Sequence, residues 1–261
     1  KDRPFPQFSN VTIVLPSLGV TNYHALMTKV EKRFSQGFNF LGTYTWSKNL
    51  NNTNEGGSVL GAEGSTYSNY YNRRADYGYS ENDIPHRLTL SGVWELPVGK
   101  GKKFLAESPA RFVLGGWSLG GILTAQSGPP FTVTTQVNSV YSATGALRAN
   151  ISGTPNLPTD QRTLTRWFDT TVFSQPAAAT FGNQGVNLVR ADGTLTMDVS
   201  IQRSFPLFAE GRKLQFRGEM FNLANHPNFG IPGRVFGGPG FGVVSSAGPA
   251  RSVQLGLRLV Y

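Results

Sequence analysis

Seven segments of about ten residues alternate apolar and polar side chains, and this period of two limits what the chain can become more than any other feature. In residues 23–33, Leu26, Thr28 and Val30 lie opposite Lys29 and Glu31. Residues 38–48 set Phe38, Phe40, Gly42, Tyr44 and Trp46 against Asn39, Thr43, Thr45 and Ser47, with Leu41 breaking the polar side. Residues 86–97 set Leu88, Leu90, Gly92, Trp94 and Leu96 against Arg87, Thr89, Ser91 and Glu95. The fourth segment, residues 117–126, is less regular and is expected to run on through residues 131–135. Residues 194–204 oppose Leu195, Met197, Val199 and Ile201 to Thr196, Asp198, Ser200 and Gln202, and Leu214, Phe216 and Met220 face away from Gln215, Arg217 and Glu219. In the last segment Val253, Leu255, Leu257, Leu259 and Tyr261 alternate with Ser252, Gln254, Gly256 and Arg258. Residues 9–15 form a short candidate for an eighth strand. Helical periodicity is nowhere sustained, and 16 Pro with 31 Gly would interrupt it, so the chain is expected to be all-β and antiparallel.

Two structures place such strands together, a sandwich in water and a barrel in a bilayer. Only 15% of residues are charged, against about 25% in an ordinary soluble domain, while 12% are aromatic. Few charges with many rings suit a wall whose outer face meets lipid. Mean hydropathy is only −0.23, as expected when lipid-facing and water-facing residues alternate and average out. Ten residues is also the length a tilted strand needs to cross a bilayer.

The connections alternate in length. Residues 34–37, 98–112 and 206–212 are the shorter ones, whereas residues 49–85, 137–193 and 222–250 are long. Short turns on one side and long loops on the other are the habit of outer-membrane barrels, and a sandwich has no reason to adopt it. Tyr44, Trp46 and Trp94 lie near strand ends, where an amphipathic ring gains by sitting at the headgroup level. In this reading Lys29, Glu31, Asp198, Gln202, Gln215, Arg217, Glu219 and Arg258 point into the lumen. Residues 49–85 carry Tyr67, Tyr70, Tyr71, Arg73, Arg74, Tyr77 and Tyr79, a mixture suited to contacting an external ligand.

Catalytic signatures are weak. Gly116-Trp117-Ser118-Leu119-Gly120 matches the nucleophile-elbow pattern, and Asp169, Asp192, Asp198 and His226 follow in a compatible order. That motif needs a strand, a sharp turn and a helix, yet residues 119–126 continue as strand. His24, His86 and His226 lack metal-ligand spacing, and residues 99–103 lack the phosphate-loop pattern. No catalytic residue, cofactor or metal is expected, and the chain is read as a non-enzyme. Zero Cys excludes a disulfide framework and a thiolate site. The net charge of +9 is scattered, which gives no case for nucleic acid.

The C-terminus carries the sharpest motif. Gln254, Gly256, Leu259 and Tyr261 set a polar residue, a Gly and alternate hydrophobic residues ahead of a terminal aromatic, which resembles the insertion signal read by the outer-membrane assembly machinery. Longer stretches are similar to the C-terminal barrel of Oar-like TonB-dependent receptors of the carboxypeptidase-regulatory-like domain-containing family. They include residues 3–8, 22–26 with 30–34, Tyr44-Thr45-Trp46-Ser47-Lys48, Asp83-Ile84-Pro85-His86-Arg87 and Gly115-Gly116-Trp117. Residues 126–131, Trp167-Phe168-Asp169, Phe181-Gly182-Asn183 and residues 221–229 follow in the same order.

The resemblance implies a transmembrane barrel of about 22 strands with a plug and an energy-coupling segment. Residues 1–261 would then be a single C-terminal barrel region, with the plug and N-terminal domain outside it. The expected location is the bacterial outer membrane and the expected role a wall and outer loops for uptake of an extracellular ligand. The partners implied are outer-membrane lipid and lipopolysaccharide, the assembly machinery and a TonB-type coupling protein. Two other readings remain open, a self-contained eight-stranded barrel with an adhesive or structural role and a soluble periplasmic β-sandwich binding module.

Overall fold

Each alternating segment hydrogen-bonds to its neighbour in sequence. The computed structural model describes residue 7 and residues 19–52, 68–140, 147–207 and 212–261. Its long strands are β1 (Thr21–Ser35), β2 (Phe38–Asn51), β3 (His86–Glu95), β4 (Trp117–Gln126), β5 (Thr194–Pro206), β6 (Lys213–Phe221) and β7 (Ser252–Val260). They lie in one antiparallel sheet in chain order, with the two-residue strand Gly78–Tyr79 added at the end of β2. The candidate strand at residues 9–15 lies outside the described residues.

Register carries the alternation from strand to strand, because a slip of one residue would exchange the two faces. Val30, Gly42, Leu90, Leu123 and Met197 stand side by side across β1 to β5. Ile201, Gly218 and Leu255 continue an adjacent apolar row across β5 to β7. On the other face Lys29, Thr43, Thr89, Thr124 and Thr196 make a parallel polar row. Among the described residues the apolar face is open on β7, where Leu255 and Leu257 are 71% and 70% exposed.

The turn between β1 and β2 is two residues long. Gln36 and Gly37 both have positive φ, of 55° and 79°, which gives a turn whose twist matches that of the flanking strands. The sheet does not close, since β1 pairs only with β2 and β7 only with β6 among the described residues. With seven strands alternating in direction, β1 and β7 run the same way.

Strand β4 stops at Gln126, so the expected continuation through residues 131–135 is corrected. Pro129 and Pro130 have no N–H to give to a ladder, and the chain turns off the sheet there. Pro130–Phe131 then pairs with Val189–Arg190, and Thr134–Thr135 pairs with Val235–Phe236. The connection between β3 and β4 holds the helical turn α1 (Arg111–Leu114) on the same end of the sheet as the Gln36-Gly37 turn.

The densest packing lies in the loops. Phe131, Val133, Ala149, Trp167, Phe168, Phe173, Val189 and Ala191, all from the connection between β4 and β5, form a buried cluster. Phe229, Phe236, Phe241 and Val244 from the connection between β6 and β7 pack against it. These two connections therefore make a cap in which burial from water supplies the stability.

Candidate functional site

The polar face and the cap above it hold the hollows and the buried ion pairs of the chain. From β2 to β5 the face carries short side chains, Thr43, Thr89, Thr124, Thr196, Ser91 and Ser200, which leave space above them. A hollow of about 710 Å³ extends over it, reached by Glu31, Asn39, Ser91, Ile122, Asp198 and Glu219. A second hollow of about 430 Å³ lies beside Gln202, Gln215, Arg217 and Arg258.

Register brings all eight polar residues read from the sequence as lumen-facing onto this one face. Lys29 bridges Glu31 at 2.7 Å, and Arg217 bridges Glu219 at 2.6 Å. Both pairs are partly exposed, so they fix side-chain direction more than they stabilise. Asp198 is differently used, accepting from the Asn222 N–H at 2.9 Å where β6 gives way to the cap. Leu41 and Ile122 interrupt the polarity as neighbours of Ser91.

The connection between β2 and β3 is bolted to the cap by ion pairs that sequence reading missed. Asp83, 1% exposed at its side chain, takes a hydrogen bond from Arg190 Nη2 and another from the Asn49 N–H at 2.6 Å. Arg190 Nη1 also donates to the carbonyls of Asp83 and Gly128, at 3.1 and 3.2 Å. Arg148 bridges Asp76 at 2.9 Å, and burial pushes its guanidinium below its ordinary pKa while Asp76 pulls the other way. Asn187 Nδ2 donates to the Tyr79 carbonyl at 2.7 Å. The one available signal was Asp83 itself, a carboxylate beside Ile84-Pro85, where a charge needs a partner once it is buried.

The tyrosines expected to contact a ligand divide accordingly. Tyr79 is a strut, its ring covered by Arg190 at 5.1 Å and Lys48 at 5.7 Å. The Tyr77 hydroxyl accepts from Asn22 Nδ2 at 2.9 Å, while Arg73 and Arg74 are exposed on the turn Tyr70–Asp76. Tyr67 and the side chains of Tyr70 and Tyr71 lie outside the described residues. Tyr44 and Trp46 near the cap end of β2, and Trp94 near the turn end of β3, stand exposed on the apolar face. Ser118 sits inside β4, paired with Glu95 and Gln202, without the turn and helix of a nucleophile elbow. Gln254 and Gly256 face polar, and Leu259 apolar, on β7, the last strand of the sheet among the described residues; Tyr261 follows β7 and is 95% exposed.

Asp169 closes the turn Thr170–Val172. Its Oδ1 accepts from the Thr171 hydroxyl at 2.7 Å and the Thr171 N–H at 3.1 Å. These bonds, with Arg166 nearby, hold its carboxyl below the ordinary carboxylate range. A depressed folded pKa means that the stabilisation is present at neutral pH and fades only as pH falls through that lowered value. Asp169→Ala is expected to cost about 1 kcal/mol at pH 7 and to lose its effect in strong acid. Denaturant unfolding of the cap at both pH values measures this.

The family model described as "Outer membrane beta barrel domain" matches residues 1–254. No curated protein and no solved structure matches the chain.

Proposed function

The chain belongs to the outer membrane beta barrel domain family, and from that premise we propose that it forms part of the wall and the outer loops of an Oar-like TonB-dependent receptor that takes up an extracellular ligand. Its place is the bacterial outer membrane. The sheet accordingly turns its apolar face to lipid and its polar face to the lumen, and the long connections lie outside the cell.

The observation that carries the receptor reading is the short side chains of the polar face, Thr43, Thr89, Thr124 and Thr196 in one row and Ser91, Gly120 and Ser200 against the 710 Å³ hollow. An eight-stranded barrel is narrow enough that its own side chains fill the interior. A floor of Thr, Ser and Gly suits a wider barrel, whose lumen is occupied by something other than the wall. Strand direction is met by either width, because β1 and β7 run the same way and an antiparallel closure needs an odd number of further strands between them, one as well as many. In this reading Lys29, Glu31, Asp198, Gln202, Gln215, Arg217, Glu219 and Arg258 face a plug or the passing ligand. The exposed Arg73 and Arg74 meet that ligand first. The protein is a receptor and not a catalyst, and its energy comes from a TonB-type partner acting through the plug end. Gln254, Gly256, Leu259 and Tyr261 present the terminal strand to the assembly machinery by edge pairing.

Reading the coding DNA on the 5′ side of Lys1 tests the proposal. The expected result is several hundred codons specifying a coupling segment, a plug and further alternating strands. A start codon with a signal peptide and at most one more strand would overturn it in favour of a small self-contained barrel.

A further inference from the structure

The connection between β3 and β4 exposes apolar side chains to a degree that neither face of the sheet explains. In α1, Phe112, Val113 and Leu114 are 70%, 68% and 52% exposed. This segment is nevertheless held firmly. Arg203 donates through Nη1 to the Val113 carbonyl and through Nη2 to the Phe112 carbonyl, and Trp117 Nε1 donates to the Val113 carbonyl at 2.9 Å. At its base a Cβ on Gly115 would lie 2.8 Å from the Gly99 Cα, so the two arms of the connection touch backbone to backbone.

The side of the sheet on which the segment lies follows from the residues that hold it. Trp117 and Arg203 are paired neighbours in a row continued by Phe216 and Leu257, which belongs to the apolar face. The Arg203 guanidinium lies over the rings of Trp117 and Phe205, at 5.6 and 4.3 Å. Side chains that point to lipid thus reach the carbonyls of α1, and α1 must lie against the lipid side. In hydrocarbon a short helical turn cannot leave its last carbonyls without donors. Two of them are supplied here by groups that can sit at a membrane boundary, an amphipathic Arg and an indole.

We propose that α1 is a membrane-inserting wedge, which seats Phe112, Val113 and Leu114 in the periplasm-facing phospholipid leaflet. The occupant follows from continuity with the lipid-facing wall and from charge. The same connection carries Lys100, Lys102, Lys103 and Arg111 against Glu107, with Glu95 at the end of β3 pairing Lys102, an excess of positive charge suited to anionic headgroups. A water-facing turn would have no use for three adjacent apolar side chains or for donors turned toward its carbonyls. The long loops stand on the other end of the sheet, so the leaflet concerned is the inner one.

The chain has no Cys, so Phe112→Cys carries one nitroxide at a position whose exposure makes misfolding no concern. Lys102→Cys serves as the aqueous reference. The labelled protein is reconstituted in vesicles of phosphatidylethanolamine with phosphatidylglycerol, and collision of the nitroxide with oxygen and with a water-soluble nickel chelate is measured by electron paramagnetic resonance. The expected result is a several-fold rise in the ratio of oxygen to nickel collision at residue 112 over residue 102. Equal ratios would overturn the proposal by placing the segment in water. An immobilised label shielded from both reagents would overturn it equally, because the segment would then be covered by protein.

Discussion

Phe168→Ala is expected to cost about 3–5 kcal/mol and to open the cap without unmaking the sheet. Phe168 is 1% exposed and lies at the centre of the aromatic packing. Its ring centroid is 5.8 Å from Phe131, 5.7 Å from Phe173 and 5.3 Å from Phe241, each pair edge-to-face. Phe131 and Phe173 belong to its own connection, whereas Phe241 comes from the connection between β6 and β7, so the ring joins the two. Truncation leaves a cavity bounded by other rings that are themselves fixed by strands and ion pairs, and such a site collapses poorly. The measurement is limited proteolysis of the assembled protein, with the heat-dependent gel mobility of the barrel as a second readout. Cleavage should move into residues 128–191 while the mobility shift persists. Unchanged protease resistance would mean that the ion pairs, and not this cluster, hold the cap.

Leu90→Arg is expected to cost about 2–4 kcal/mol, and Thr89→Arg next to it close to nothing. Leu90 lies mid-strand in β3, between Gly42 of β2 and Leu123 of β4 on the apolar face. A guanidinium there faces hydrocarbon near the membrane midplane. Thr89 lies between Thr43 and Thr124 on the polar face, where an added charge stays hydrated. The comparison cancels the common effects of a long cationic side chain and isolates the difference between the two solvents. Denaturant unfolding in bilayers reads both variants. Equal costs would refute the assignment of the faces.

The wall was legible in the sequence and the cap was not, for a physical reason. A strand of a barrel announces itself locally, because the alternation of Leu88, Leu90, Gly92 and Trp94 with Thr89, Ser91 and Glu95 reports two solvents within ten residues. The cap core has one solvent and no repeat. Val133, Ala149, Phe168 and Val189 are brought together over long separations, with backbone contact permitted only by missing side chains. At Gly128 a Cβ would lie 2.0 Å from the Ala191 carbonyl oxygen, and at Gly182 2.1 Å from that of Arg148. Several stretches that resembled the receptor family coincide with these fastenings. Asp83 takes the buried ion pair, Trp167-Phe168-Asp169 supplies core and turn, and Asn222 bonds His226 through both amide atoms at 3.0 Å. The motifs were visible, but their partners lay too far along the chain to be read. The partner of Tyr79 was unreadable for the same reason, since Arg190 stands 111 positions later.

The same division separates the two ends of the molecule in their response to cold. The cap is held by removal of apolar surface from water, a force that weakens as temperature falls. The wall is held by backbone hydrogen bonds that have no competing donor in hydrocarbon, and that lack does not weaken on cooling. Chilling therefore loosens the part that meets the outside world while leaving the part that seals the membrane, so a cell in the cold would lose the order of its outer loops before it lost its barrier.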